Sequence, residues 1–203
     1  MTSSAIDGFR HQFLGVADST FAFRTDLQRR LREIDRKALN AQILVKRHGK
    51  ALIGYGVVAQ SFREGAQQLQ SASILVQQAI EPLIYGFMRT LQGTQQTDKL
   101  QNLPESVRSL APHLMVTLAQ HQRAIEEDAR RTARDAQRLM QALGRFQSVV
   151  AEIEYVVVNG RIEAALKGSG QAALAQVSAD MDKAIRHVRE LLRTYRDHVD
   201  PLF

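Results

Sequence analysis

Two glycine-bearing breaks, His48-Gly49-Lys50 and Lys167-Gly168-Ser169-Gly170, stand 119 residues apart, and each separates two long apolar heptad runs. Before the first break the apolar positions are Phe9, Phe13, Val16, Thr20, Phe23, Leu27, Leu31, Ile34, Ala38, Ala41 and Val45. They alternate in steps of three and four, with one irregular step near Leu27, which is the seam of a coiled-coil helix. After it, Tyr55, Val58, Phe62, Gly65, Leu69, Ala72, Val76, Ala79, Leu83 and Phe87 form a second stripe. A helix of roughly 45 residues is about 65 Å long and cannot fold back into a globule unless it is broken. It can pair lengthwise. Two such hairpins in one chain predict an all-α fold: an elongated antiparallel four-helix bundle, a pseudo-dimer made within a single polypeptide.

Helices are expected over about Ser4–Arg47, Ala51–Leu91, a third run ending near Leu166, and Gln171–His198. Pro82 falls inside the second and predicts a kink near Gln78. Residues 93–104 are polar and turn-rich, and Ser106–Ala119 reads as a short helix interrupted by Pro112. The organisation is then a first hairpin over 1–92, a connector with a short helix over 93–121, and a second hairpin over 122–203.

The 119-residue shift also aligns the flanks of the two breaks without a gap. Asn40 meets Asn159, Ile43 meets Ile162, Gly49 meets Gly168 and Val58 meets Val177. Leu31, Ile34, Phe62 and Leu69 meet Val150, Ile153, Met181 and Val188. An internal duplication follows. A single hairpin exposes an apolar stripe, and a fused second copy covers it at high effective concentration.

Composition excludes several functions. The chain has no Cys, hence no disulfide framework and no thiol nucleophile, which fits a reducing cytoplasm. No run reaches the roughly 18 apolar residues of a membrane span, and Asp7, Arg10 and His11 argue against a signal peptide. Lys167-Gly168-Ser169-Gly170 joins helix to helix, so it is not a phosphate-binding loop. His187 and Glu190, three apart on one helix, read as a solvated pair and not as a metal site. No catalytic, cofactor or metal-binding residue is expected, and the chain is read as a non-enzyme.

Around the two breaks the sequence resembles the cytoplasmic signalling tip of methyl-accepting chemotaxis proteins. That family's hairpin reads approximately Leu-Asn-Ala-x-Ile-Glu-Ala-Ala-Arg-Ala-Gly-Glu-x-Gly-x-Gly-Phe-x-Val-Val-Ala. The first copy keeps Leu39, Asn40, Ala41, Ile43, Arg47, Gly49, Gly54, the aromatic Tyr55, Val57, Val58, Ala59 and Arg63. The second keeps Asn159, Ile162, Glu163, Ala164, Ala165 and Gly168. The resemblance covers about thirty residues around each turn. It implies a signalling or scaffold protein that docks on the chemotaxis histidine kinase and its coupling protein, or on chemoreceptor tips in an array. The implied partner-binding residues are Arg47, Tyr55, Val57, Val58, Glu163, Ile43 and Ile162, with Asn40, Gly49, Asn159 and Gly168 shaping the turns. Val58 also lies on the heptad seam, where it would be core instead. The family's Glu is Leu44 in the first copy, and its Arg is Leu166 in the second, so each copy has lost one member of a charged pair. The implied location is the cytoplasm, including receptor arrays, with a monomeric pseudo-dimer or weak homo-oligomer as the state.

A rival reading rests on charge. The net charge is +6 and the isoelectric point about 10.0. Arg29, Arg30 and Arg32, Lys46, Arg47 and Lys50, and Arg130, Arg131 and Arg134 would give a structural coiled coil basic faces for nucleic acid or an acidic surface. No aromatic residues interleave with them as stacking platforms.

Overall fold

The computed structural model describes residues 3–104, 113–165 and 171–200. Among these residues four helices make up the architecture: α1 (Ser3–His48), α2 (Ile53–Gln101), α3 (Leu114–Ala165) and α4 (Gln171–Val199). Each packs on two neighbours, in the cyclic order α1, α2, α3, α4 and back to α1, giving an antiparallel four-helix bundle of two hairpins. At 1.5 Å per residue α3 is about 78 Å long, and α4 is much shorter at about 44 Å. No strand occurs among the described residues, and none of the described helices is long and apolar enough to cross a membrane.

Heptad positions supply the core. Phe23, Leu27, Leu31, Ile34, Ala38 and Ala41 are buried on α1. The positions 119 residues later, Ala142, Phe146, Val150, Ile153, Val157 and Gly160, are buried on α3. Likewise Tyr55, Ala59, Phe62, Ala66, Leu69 and Val76 on α2 correspond to buried Leu174, Ser178, Met181, Ile185, Val188 and Tyr195 on α4. The repeat is thus a repeat of packing and not of letters alone. Side-chain size drifts between the copies while inward direction is kept.

The α2–α3 interface is unusually close because small residues face large ones at seven-residue intervals. A Cβ on Gly65 would lie 2.6 Å from Ile153 Cγ1, and one on Gly93 would lie 2.8 Å from Ile125 Cγ1. Gly86 is equally tight against Thr132, and Gly160 of α3 returns the arrangement against Val58 of α2. These four contacts share one antiparallel register, which places Ala72 and Ala79 at the levels of Phe146 and Leu139.

Two boundaries differ from the sequence expectation. α2 continues ten residues past Leu91, through the segment expected to be connector. Gly93 packs on Ile125 there, and the Thr90 and Thr94 hydroxyls donate to the carbonyls of Gly86 and Thr90, at 3.1 and 2.8 Å. Those bonds satisfy the threonines within the helix and remove their preference for a turn. Asn102 closes the helix, its N–H donating to the Asp98 carbonyl at 3.0 Å. On the other side, Leu114–Ala119 opens the long α3 and is no separate helix. The remainder of the expected short helix, with Pro112, lies outside the described residues. α2 also runs through Pro82, which sits on its exposed face.

Filling the tightest layer should destabilise the bundle. Gly65→Leu is expected to cost about 1–3 kcal/mol by overpacking against Ile153, and Ile153→Ala in the same chain should recover part of that loss. Thermal melts of the two single variants and the double variant test the register.

Candidate docking tip

The closed end of the first hairpin is a short, tight piece of backbone. Gly49 has φ of 53°, the one positive φ among the described residues, and a 3₁₀ turn over Gly49–Leu52 leads directly into α2. That conformation is cheap for glycine and costly for a side-chain-bearing residue, so a glycine suits the turn at this position. Lys46, Arg47 and His48 form the last turn of α1, where positive charge complements the helix dipole. Gly168 lies outside the described residues.

Asn40 and Asn159 do not shape turns. Both stand on exposed helical faces, nine residues before Gly49 and Gly168 respectively. Glu163 reaches across to the first hairpin: a Cβ on Gly54 would be 2.6 Å from its Oε2. Its carboxylate therefore lies beside the first turn of α2, the positive end of that helix dipole. In the counterpart position, Leu44 is apolar and is packed against the core.

Tyr55 and Val58 turn inward, contrary to the docking role the resemblance implied. Tyr55 is 1% exposed, and its hydroxyl lies 3.0 Å from that of Ser178, across the bundle on α4. Val58 packs over Gly160, whose missing side chain also admits the Ser178 hydroxyl. The heptad seam decides the matter, since both positions belong to the buried stripe of α2. Burial pushes the pKa of the Tyr55 hydroxyl up, with the Ser178 hydrogen bond opposing the shift in part. A second hydroxyl pair joins Thr20 to Tyr195 at 3.1 Å, and the Tyr195 ring stacks on Phe23 with centroids 4.0 Å apart. Burial likewise raises the pKa of Tyr195.

What the tip does expose is a matched set of aliphatic side chains. Ile43 is 42% exposed and its counterpart Ile162 is 56% exposed. Four residues before each stands another exposed aliphatic, Leu39 in the first copy and Val158 in the second. Residues four apart share a helix face, so each hairpin carries the same apolar pair at the same place. Val57, 71% exposed, and Ile53 add an apolar face that only α2 has. Arg47 is exposed, and so are Arg32, Arg36 and Lys46 around the first pair. Val158 and Ile53 were not singled out from sequence, and Leu39 was matched to the motif without being assigned to the docking set. Their signal was an aliphatic residue off the heptad seam, repeated at the 119-residue offset in the case of Leu39 and Val158.

The other sequence candidates stay apart from this tip. Among the described residues no group of three or more His, Cys, Asp or Glu side chains is placed to hold a metal. His187 is half-buried, and its Nδ1 has no hydrogen-bond partner among the described residues, while Glu190 is exposed. Several of the basic residues are paired along their own helices: Arg29 with Asp26 at 2.7 Å, Arg30 with Glu33 at 3.3 Å and Arg131 with Glu127 at 2.8 Å. Comparison with family models, curated proteins and solved structures finds no match to this chain.

Two measurements test the buried tyrosines. Tyr55→Phe strips Ser178 of its partner and is expected to cost about 1 kcal/mol, and adding Ser178→Ala should cost less than the sum of the single changes. The alkaline behaviour has a definite sign. Below pH 10.0 folded and unfolded chains both keep the phenolic proton. Above it the unfolded chain releases the proton that the buried tyrosine retains, so stability falls as pH rises. Denaturation midpoints measured from neutral pH upward should decline beyond that value, and more shallowly in Tyr55→Phe and Tyr195→Phe.

Proposed function

We propose that the chain is a chemoreceptor-like signalling or scaffold protein, docking on a chemotaxis histidine kinase and its coupling protein, or on receptor tips in an array, through the closed end of its hairpins. One observation carries the reading: the exposed pairs Leu39/Ile43 and Val158/Ile162 occupy equivalent positions in the two copies. Core packing makes no demand on those side chains, and an apolar residue left in water in both halves is accounted for by a partner. Val57 widens the apolar surface on the first hairpin, and Arg47 supplies charge beside it.

The partner's identity comes from the sequence around the turns, above all Leu39-Asn40-Ala41, Arg47-x-Gly49 and Val57-Val58-Ala59. The docking residues are Ile43, Val57, Arg47 and Ile162, with Leu39, Val158 and Ile53 beside them. Tyr55 and Val58 serve by holding α2 in register. Glu163 acts from the second hairpin by lying against Gly54. The role is binding without catalysis, from the cytoplasm. Joining arrays and occupying tip sites without transmitting a signal differ in outcome: the first leaves kinase activity intact and the second lowers it.

The test is capture of the kinase and coupling protein by the purified chain, beside an Ile43→Asp/Val57→Asp variant. Both positions are exposed, so each substitution should change stability by no more than about 0.5 kcal/mol. Capture is expected to fall at least tenfold, which corresponds to about 1.4 kcal/mol. Absence of capture by the wild type, or equal capture by the variant, would sink the proposal.

A further inference from the structure

The outer face of α3 carries a second heptad seam, turned away from the core. Gly144, Ser148, Ala151, Tyr155, Val158 and Ile162 follow one another in alternating steps of four and three. That spacing is the one a coiled-coil partner packs against. All six lie on the side of α3 opposite its buried stripe through Phe146, Val150 and Ile153, and none is charged. Tyr155 is 75% exposed, and Val158 and Ile162 are half exposed or more. At Gly144 a Cβ would meet nothing within 4 Å, so the small end of the seam is open. The Ser148 hydroxyl donates to the Gly144 carbonyl at 3.2 Å, which leaves it little need of water.

Charge is kept to the borders of this seam. Arg145 and Glu152 stand on its α2 side. Glu154 and Arg161 stand on its α4 side, where they pair with Arg189 and Asp182 of that helix. The same face of α1, 119 residues earlier, reads Thr25, Arg29, Arg32, Arg36, Leu39 and Ile43. Three arginines interrupt it, so the continuous uncharged seam belongs to the second hairpin. An uncharged heptad face is best covered by another, and a second copy of the chain supplies one. The seam is also ordered by size, small towards Gly144 and large towards Ile162. Antiparallel pairing with a second copy sets Gly144 against Ile162, Ser148 against Val158 and Ala151 against Tyr155, each twice by symmetry. Every layer then matches small with large in one register, as α2 and α3 do inside the chain. Parallel pairing would leave a void at Gly144 and crowd Tyr155 on Tyr155.

We propose that this seam is the interface of a two-fold dimer, with α3 packed antiparallel on α3 of a second copy and the axis midway between Ala151 and Tyr155. Such a contact uses the same surface on both copies and closes at two chains. The strip is about 27 Å long and one helix wide, short of the roughly 1,600 Å² of a standard interface, so the dimer is weak, with a Kd of about 10–100 µM. On the rim beside the axis, Glu152 meets Glu152 of the second copy and Glu154 meets Glu154. Arg189 neutralises the second pair, so Glu152 is the contact that opposes association. The dimer covers Val158 and Ile162. Because α1 lies across the bundle from α3, Leu39 and Ile43 of each copy stay open, and the docking proposed above then falls to the first hairpin. The dimer rests on the α3 seam and not on that docking.

Sedimentation velocity of the full chain between about 5 and 500 µM should show reversible exchange of monomer and dimer. Tyr155→Glu should weaken the dimer at least about tenfold. Glu152→Gln should tighten it about two- to fivefold by removing the like charges at the rim. The Ile43→Asp/Val57→Asp variant should dimerise as the wild type does, and circular dichroism verifies that every variant is folded. Register is read by cross-linking, since the natural chain has no Cys. A mixture of Ser148→Cys and Val158→Cys chains should form a disulfide on mild oxidation, and Ser148→Cys by itself should not. A wild type that stays monomeric at about 500 µM overturns the proposal, and so does a dimer that survives Tyr155→Glu. Loss of the dimer in Ile43→Asp/Val57→Asp moves the interface to the first hairpin. Unchanged affinity in Glu152→Gln, or ready cross-linking of Ser148→Cys with itself, overturns the antiparallel register. None of these readouts involves the kinase, so the dimer and the docking fail separately.

Discussion

The close approach of α2 to α3 is the contact on which the rest of the bundle depends. At each layer a glycine or alanine on one helix accommodates a branched or aromatic side chain on the other, as Gly65 does for Ile153 and Gly160 for Val58. A helix interior is normally a poor place for glycine, at about 1 kcal/mol per residue relative to alanine. Here the close contacts offset that cost, and they fix register as well as distance. Sliding α2 by one turn would drive Ile153 and Thr132 into side chains in place of vacancies. With that pair set, α1 and α4 have only one way to complete the ring.

The two halves of the chain are complementary, not identical, at their buried polar contacts. Tyr55 meets Ser178, while the corresponding positions in the opposite halves hold Leu174 and Ala59. Thr20 meets Tyr195, and its counterparts are Leu139 and Val76. Each polar pair is satisfied, and each has an apolar pair as its symmetric image. Two identical hairpins could not reproduce this, because pairing the second with itself would bury the Ser178 hydroxyl away from any tyrosine. The asymmetry specifies that unlike halves associate, by the same logic that lets one buried polar contact choose partners in coiled coils.

Much of this was legible in the sequence. The heptads located four helices and most of the core of the first two, and on the last two picked out Val150, Ile153, Met181 and Val188 but left Leu139, Phe146, Ile185 and Leu192 unassigned; the breaks at Gly49 and Gly168 placed the repeat. The failures are local and have physical causes. Residues 93–101 resemble a loop by composition, but threonines that bond back to the preceding turn, with Gly93 seated on Ile125, keep them helical. Tyr55 and Val57 are two residues apart and fall on opposite sides of α2, since a helix turns about 200° over two residues. Motif similarity carries no azimuth, whereas the stripe through Phe62 and Leu69 does. Asn40 and Asn159 were credited to the turns because they repeat, yet both sit two and a half helical turns away, on exposed faces.

Both buried hydroxyl contacts run between the first hairpin and the second, never within one. Nothing in them records whether the two hairpins belong to the same molecule. Two chains that traded second hairpins would rebuild the Tyr55–Ser178 and Thr20–Tyr195 contacts and the α2–α3 layers in full. Intramolecular closure then wins by effective concentration alone, and crowding many copies onto one surface erodes that advantage. The internal repeat that lets one chain complete the ring leaves open a route by which two chains could do so.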